Sequence, residues 1–215
     1  MKNILLGLQT SYKTTSDEAE LGHRAAWIRN GLNSLSIIDD FITKCDCYYM
    51  DNTVNQEDEL PDFVRNVIPK SAERVYSTEA NHYGTINKGA GVIEMMQYVK
   101  DKIKNYEWYV HHEPRTVIRH SGMFDSFLSE PSNLFKVGSP ANPNENSFWT
   151  GTFFIHTKNL IDYLDRVDLD TLCNESISIE FHIRNFIESR SIPYRSVDDA
   201  GIIWNDVAAG INYFV

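Results

Sequence analysis

Nowhere in the 215 residues do roughly 18 apolar residues follow one another, so the sequence offers no candidate membrane span. It also lacks a basic start leading into an apolar run, the mark of a secretory leader. Basic residues are few. Against 30 Asp and Glu stand 20 Lys and Arg, a formal charge of −10, and a field of that sign repels phosphate-rich polymers, which excludes nucleic acid as a main partner. Cysteine is sparse and odd in number: Cys45, Cys47 and Cys173. The first two lie in an apparent strand, on one face but without bridging geometry. A reducing, cytoplasmic setting is expected, with work at a membrane surface left open. No Gly-x-Ser-x-Gly occurs, and neither the phosphate-loop nor the dinucleotide fingerprint is present. Covalent hydrolysis has no local support. Repeats and low-complexity tracts are absent as well.

What is present is an ordinary globular composition, 42% hydrophobic and 23% charged, in a length that suits one domain spanning 1–215. Lys2 to Thr10 is a continuous apolar run, the pattern of a strand covered on both faces. Ser16-Asp17-Glu18 supplies a helix start, and Ala25, Ile28, Leu32 and Leu35 carry the apolar spacing toward Phe41, with a break expected near Gly31 or Asn33. Cys45 to Met50 reads as a second strand ending in Asp51-Asn52-Thr53. A short helix from Glu59 to Val67 is stopped by Pro69. Glu73 to Ser77 is a third strand, Thr78 to Gly91 a polar glycine-bearing loop, and a helix follows to about Ile103. The fourth strand begins near Tyr106. Beyond it come a short helix around Met123 to Leu128, a long connection from Leu134 to Asn146 with Gly138, Pro140 and Pro143 as breakers, and a strand from Phe148 to His156. A helix starts at Thr157, another runs from Ser178 to Arg190, and strands near Tyr194 and Ile202 to Trp204 finish the chain. Strands alternating with helices predict an α/β fold with a mostly parallel central sheet and helices on both faces. Ligands in such folds sit outside the carboxyl ends of the strands, where Gln9 to Ser11, Asp51 to Thr53, Thr78 to Gly91 and His111 to Arg119 would converge.

The densest chemistry is Tyr106 to His120, a strand that delivers two histidines, a carboxylate and two arginines. If the strand persists, His111 and Glu113 share a face and His112 takes the other. That pair could hold Mn²⁺ or Mg²⁺ if a phosphate completed the shell. Alternatively one histidine is buried and Glu113 pairs with Arg115. Arg115, Arg119 and His120 form a local cationic patch suited to a diphosphate. Asn81 to Gly91 brings Lys88, Gly89 and neighbouring glycines to a helix start, where backbone N–H groups attract anions. Gly151, in a strongly β-forming run beside Thr150, marks either a close approach or simple packing. Glu180, in a first helical turn after Ser176 and Ser178, is either a general base or a dipole-stabilising residue.

In this order the segments resemble the nucleotide-sugar-dependent glycosyltransferases of the GT-A fold, Rossmann-related single domains. The resemblance rests on Ile4-Leu-Leu-Gly-Leu-Gln-Thr-Ser11, a second strand ending in Asp51-Asn52, Asn81-x-x-Gly84-x-x-x-Lys88-Gly89-Ala90 opening a helix, and Trp149-Thr150-Gly151-Thr152-Phe153-Phe154. It implies transfer of a sugar from a nucleotide donor, a UDP-sugar, to a glycan or lipid-linked acceptor, as in polysaccharide biosynthesis. Thr10, Ser11, Asp51 and Asn52 would lie by base and ribose, Asn81, Lys88 and Gly89 by the donor, Thr150 and Gly151 along the site, and Glu180 would be the base. His111 and Glu113 fall where the family carries a metal-binding Asp-x-Asp. Either Mn²⁺ or Mg²⁺ is held with a histidine ligand, or Arg115 or Arg119 neutralises the leaving diphosphate. Two rivals stand beside this reading: a non-catalytic protein, either a nucleotide- or glycan-binding module or one subunit of a larger assembly; and a nucleotidyltransferase, disfavoured because no glycine follows the first strand.

Overall fold

The computed structural model describes residues 2–138, 146–206 and 211–215. In chain order the elements are β1 (Ile4–Thr10), α1 (Glu18–Ser34), α2 (Asp39–Ile42), β2 (Cys45–Asp51), α3 (Asp62–Arg65), β3 (Glu73–Tyr76), α4 (Lys88–Tyr98), α5 (Lys100–Ile103), β4 (Trp108–His112), β5 (Val117–Ile118), α6 (Gly122–Ser129), β6 (Leu134–Val137), β7 (Phe148–His156), α7 (Thr157–Arg166), α8 (Leu169–Asn174), α9 (Ile179–Ser189), β8 (Arg195–Val197), β9 (Ile202–Asp206) and β10 (Ile211–Phe214). Seven strands form the main sheet in the order β3-β2-β1-β4-β7-β6-β8. All run the same way except β7, which is antiparallel to both neighbours. No helix among the described residues is long and apolar enough to cross a membrane.

The apolar continuity of β1 has the expected cause. Leu6 and Leu8 enter one core with Ala25, Ile28, Phe41, Tyr49, Val110, Phe124 and Phe154, whereas Leu5 enters a second with Met50, Ile93, Tyr109, Phe153, Ile155 and Ile183. Successive side chains of a strand point to opposite faces, so a central strand covered by helices on both sides must be apolar at every position. Asp17 caps α1 by accepting from the Ala19 and Glu20 N–H groups at 2.8 and 3.1 Å.

The break expected near Gly31 or Asn33 falls just after Asn33: α1 ends at Ser34, a 3₁₀ turn from Leu35 to Ile38 follows, and α2 takes the chain on through Phe41. Gly31 itself stays helical, and its missing side chain lets the helix rest against the Pro114 and Thr116 carbonyls. Other expectations change. The connection expected from Leu134 holds a strand, β6, paired with β7 and β8; its 139–145 part lies outside the described residues. The loop from Thr78 contains two short 3₁₀ turns before α4 begins. The strand expected at Ile202 to Trp204 is β9, but it belongs to a second, antiparallel sheet, β10-β9-β5, whose other two strands have no counterpart in the sequence reading. After β4 the chain leaves the main sheet for this smaller one, taking Arg119 and His120 with it.

The two glycines of α1 give a paired test. A Cβ at Gly22 would meet nothing within 4 Å, but one at Gly31 would collide with backbone. Gly22→Ala is therefore expected to stabilise by about 0.5–1 kcal/mol, and Gly31→Ala to destabilise by about 1–3 kcal/mol or more. Urea unfolding midpoints of the two variants check the opposite signs.

Candidate functional site

The main sheet brings the carboxyl ends of β1, β2 and β4 together with the beginning of the reversed β7, and a cleft of about 660 Å³ opens there. Its floor starts at the β1 and β2 ends. Asp51 is fully buried and accepts hydrogen bonds from Thr10 Oγ1 (2.7 Å), the Tyr12 N–H (3.0 Å), the Thr53 N–H (2.8 Å) and Thr53 Oγ1 (2.6 Å). Burial pushes its carboxyl up from the ordinary range, and these donors oppose the rise. Asp51 does not line the cleft; it ties together the two loops that do. Asn52 does line it. Its side-chain oxygen accepts from Ser11 Oγ at 2.7 Å, and its Nδ2 reaches the Ala80 and Gly91 carbonyls and Asn81 Oδ1 at 3.1–3.2 Å.

Two helix starts meet on the opposite side. Asn87 caps α4, its Oδ1 accepting from the Gly89 and Ala90 N–H groups, and its Nδ2 donates to the Leu172 and Ile177 carbonyls at 3.2 and 3.1 Å. Gly89 lets α4 touch α9: a Cβ there would sit 2.6 Å from Ile179 Cγ2. Gly84 and Gly91 likewise bring backbone against backbone, so these glycines serve close approach rather than a phosphate fingerprint. Ser178 occupies the N-cap of α9 but donates its hydroxyl to Glu180 Oε2 at 2.5 Å instead of capping, and Thr150 Oγ1 donates to Glu180 Oε1 at 2.9 Å. Glu180 and Thr150 both face the cleft; Gly151 lies behind Thr150, in contact with the Trp149 ring.

The end of β4 differs most from the sequence expectation. The strand stops at His112, and Glu113 opens a turn in which the Thr116 N–H bonds the Glu113 carbonyl at 2.9 Å, with Pro114 in the second position favoured for such turns. His111 lies two residues down the strand, roughly 6.6 Å along it by ordinary strand rise. It is fully buried, stacked on Phe153 with ring centroids 5.1 Å apart, and both ring nitrogens lack partners among the described residues. It does not line the cleft. Glu113 does, and it accepts from Arg115 Nε at 2.7 Å. Burial pushes this carboxyl up, but the Arg115 charge and hydrogen bond hold it below the ordinary value. His112, on the other face, contacts Thr152 Oγ1 through Nδ1 at 2.8 Å. Of the two sequence readings, the buried histidine beside a Glu113–Arg115 ion pair is the one observed. Arg119 sits outside the cleft, paired with Asp199 at 3.2 Å and lying over the Phe214 ring.

A divalent cation fits this set of donors poorly. Such ions take several oxygen or nitrogen ligands around one point, whereas His111 faces the core and Glu113 is already engaged by a guanidinium. Among the described residues no cluster of three His, Cys, Asp or Glu is placed to hold a metal. The cleft is cationic instead. Lys13, Arg24, Lys88 and Arg115 line it against two carboxylates, Glu113 and Glu180, in a chain whose net charge is −10. Arg24 and Lys13 escaped the sequence reading. Arg24 carried a usable signal: it stands at the three- and four-residue spacing of Ile28 and Gly31, on the buried stripe of α1 where an arginine needs a reason.

Neither a protein-family model nor a curated protein matches the sequence. Solved structures do share the fold. The chain is similar to the mannosyltransferase PcManGT of Pyrobaculum calidifontis in complex with GDP-Man and Mn²⁺, with a TM-score of 0.59 at 14% identity over 92% of this chain and 55% of that one. A Desulfovibrio desulfuricans protein described as a nucleotide-diphospho-sugar transferase gives 0.56 at 11% identity over 96% and 83%. A cytidylyltransferase of Leptospira borgpetersenii gives 0.54 at 11% identity over 94% and 77%. The fold is thus the GT-A fold.

The buried histidines predict a pH dependence. Burial lowers His111 from 6.5 to about 4, and burial with the neighbouring His111 lowers His112 to about 3. Both are neutral in either state above 6.5. Below it the unfolded chain takes up protons that the folded chain refuses, so stability falls by up to about 1.4 kcal/mol per pH unit for each histidine until the folded values are reached. His111→Phe, which keeps a ring against Phe153, is expected to remove roughly half of the two histidines' contribution to that slope. Urea titrations at stepped pH measure it; an unchanged slope would show that His111 does not titrate in this way.

Proposed function

We propose that this protein is a glycosyltransferase moving a sugar from a nucleoside diphosphate donor, a UDP-sugar, to a hydroxyl of a glycan or lipid-linked acceptor. The observation that carries the reading is Glu180, a carboxylate fixed by two hydroxyls at a helix start, in the same cleft as cationic side chains and a second helix start. The GT-A fold supports it. Thr10, Ser11 and Asn52 would border the nucleoside, with Asp51 shaping that wall from behind, and Asn81, Lys88 and Gly89 would border the diphosphate and sugar.

In the reaction the acceptor oxygen forms a bond to the anomeric carbon while its proton passes to Glu180. The bond from that carbon to the donor's terminal phosphate oxygen breaks, and the nucleoside diphosphate leaves with the electron pair. Fixed donors and positive charge at the leaving group stabilise the charge that develops there. The mannosyltransferase of the same fold holds Mn²⁺; here no step is assigned to a cation, because the residues at the end of β4 do not form a set of ligands for one.

Nucleotidyl transfer is the second reading, favoured by the cytidylyltransferase with this fold. Against it, Gln9 to Ser16 contains no glycine and a single lysine. A thermal-shift screen separates the readings: nucleoside diphosphates and UDP-sugars should raise the melting temperature, and CTP should not. Glu180→Gln is expected to lower transfer by about 10²–10⁴-fold while donor affinity stays within about twofold. Turnover at the unaltered rate would remove Glu180 as base, and donor binding without any transfer or hydrolysis would make the protein a binding module.

A further inference from the structure

The sequence left two ways open to balance the donor's charge, a cation or an arginine. Where the cation would be held, the structure offers one carboxylate already bound to a guanidinium and one histidine turned into the core. A second guanidinium lines the same cleft. Arg24 is about nine-tenths buried, yet its contacts are loose: one terminal nitrogen lies 3.3 Å from the Ser11 carbonyl and the other 3.4 Å from Glu20 Oε1, while Nε has no partner among the described residues. Glu20 is its ion-pair partner one turn earlier on the helix, but a buried cation with long contacts and an unbonded Nε is costly unless a further acceptor completes its shell. Arg115, half-exposed, is held by Glu113 from below. The two arginines sense each other: burial first, and then the charge of Arg115, lower the pKa of Arg24. Like charges gathered around one opening favour an anion between them.

We infer that Arg24 and Arg115 together grip the donor diphosphate in place of a divalent cation, with Glu113 as the positioning residue that aims Arg115. This rests on the nucleotide-sugar reading of the cleft. Two guanidiniums carry the formal charge of one Mn²⁺, and each presents paired N–H groups matched to phosphate oxygens. They are drawn from separate elements, α1 and the turn after β4, which Gly31 presses together. The grip is therefore built by the same contact that seats the helix. Glu113 compensates part of the charge when the cleft is empty and keeps Arg115 from folding away.

Calorimetry of the whole chain with UDP and UMP, in excess EDTA and in Mn²⁺, tests this, with GDP/GMP and CDP/CMP as parallel probes. The expected result is diphosphate affinity in EDTA within about twofold of that in Mn²⁺, and a preference for diphosphate over monophosphate of about tenfold or more. Arg24→Gln and Arg115→Gln should each weaken diphosphate binding by about tenfold or more and leave the monophosphate within about threefold, the latter serving as the check on folding. Arg24→Lys, which keeps charge but not the fork, should fall between. Glu113→Gln should weaken the diphosphate alone, and less than loss of Arg115. Diphosphate binding that vanishes in EDTA would overturn the inference while leaving the nucleotide-sugar reading intact. Variants that weaken mono- and diphosphate equally would do the same. If none of the six nucleotides binds under either condition, the nucleotide-sugar reading itself falls, and the inference with it.

Discussion

Four hydrogen bonds converge on one carboxylate that never meets solvent. Asp51 draws in the Thr10 and Thr53 hydroxyls and the Tyr12 and Thr53 N–H groups, and so fixes how β1 and β2 end relative to each other. Everything on the near side of the cleft hangs from that knot. Ser11 is left in reach of Asn52, and Asn52 spans to Asn81 and the Gly91 carbonyl, which sets where α4 begins. Leaving one of these buried groups unpaired would cost about 1–3 kcal/mol. The geometric cost is larger, because the strand ends, the 3₁₀ turns and the helix start are links of one chain.

Much of this fold was legible because the signals were local. A strand buried on both faces must be apolar throughout, and Leu5, Leu6 and Leu8 say so without further context. Asp17 announces a helix by its side-chain oxygen, and the alternation of His111 and His112 across the sheet follows from pleating. What alternation does not give is the residue at which a strand stops. Pro114 was visible in the sequence, but only with the turn it opens does Glu113 part from His111. The packing role of Gly31 was hidden for a similar reason. Its purpose is a contact with residues 114 and 116, remote in sequence, and no window around a glycine reveals a distant carbonyl. The small antiparallel sheet escaped for the same reason, since β5 has two residues and is defined by its partners.

At the cleft the split is between position and pairing. The rule that ligands gather at strand ends pointed to Thr10, Ser11, Asn52, Lys88, Glu113 and Arg115, and the family resemblance to Thr150 and Glu180; all of them line one cavity. The rule did not foresee that Asp51 would turn inward or that Arg119 would leave with the chain for Asp199. Arg24 shows the complementary error. Reading α1 for its apolar stripe concentrated on the residues that fit the stripe, while the charge standing on the stripe was the more informative one.

The doubled role of Asn87 has a mechanical consequence. One amide closes the first turn of α4 with its oxygen and fastens the α8–α9 segment with its nitrogen, and Gly89 removes any slack between the two helices. The wall bearing Lys88 and the wall bearing Glu180 are therefore one stiff jaw. The spacing between Lys88 and Glu180 is set when the chain folds and does not wait for a ligand, so any adjustment of the cleft's width falls to the opposing jaw, the exposed segment around Lys13 and Thr14.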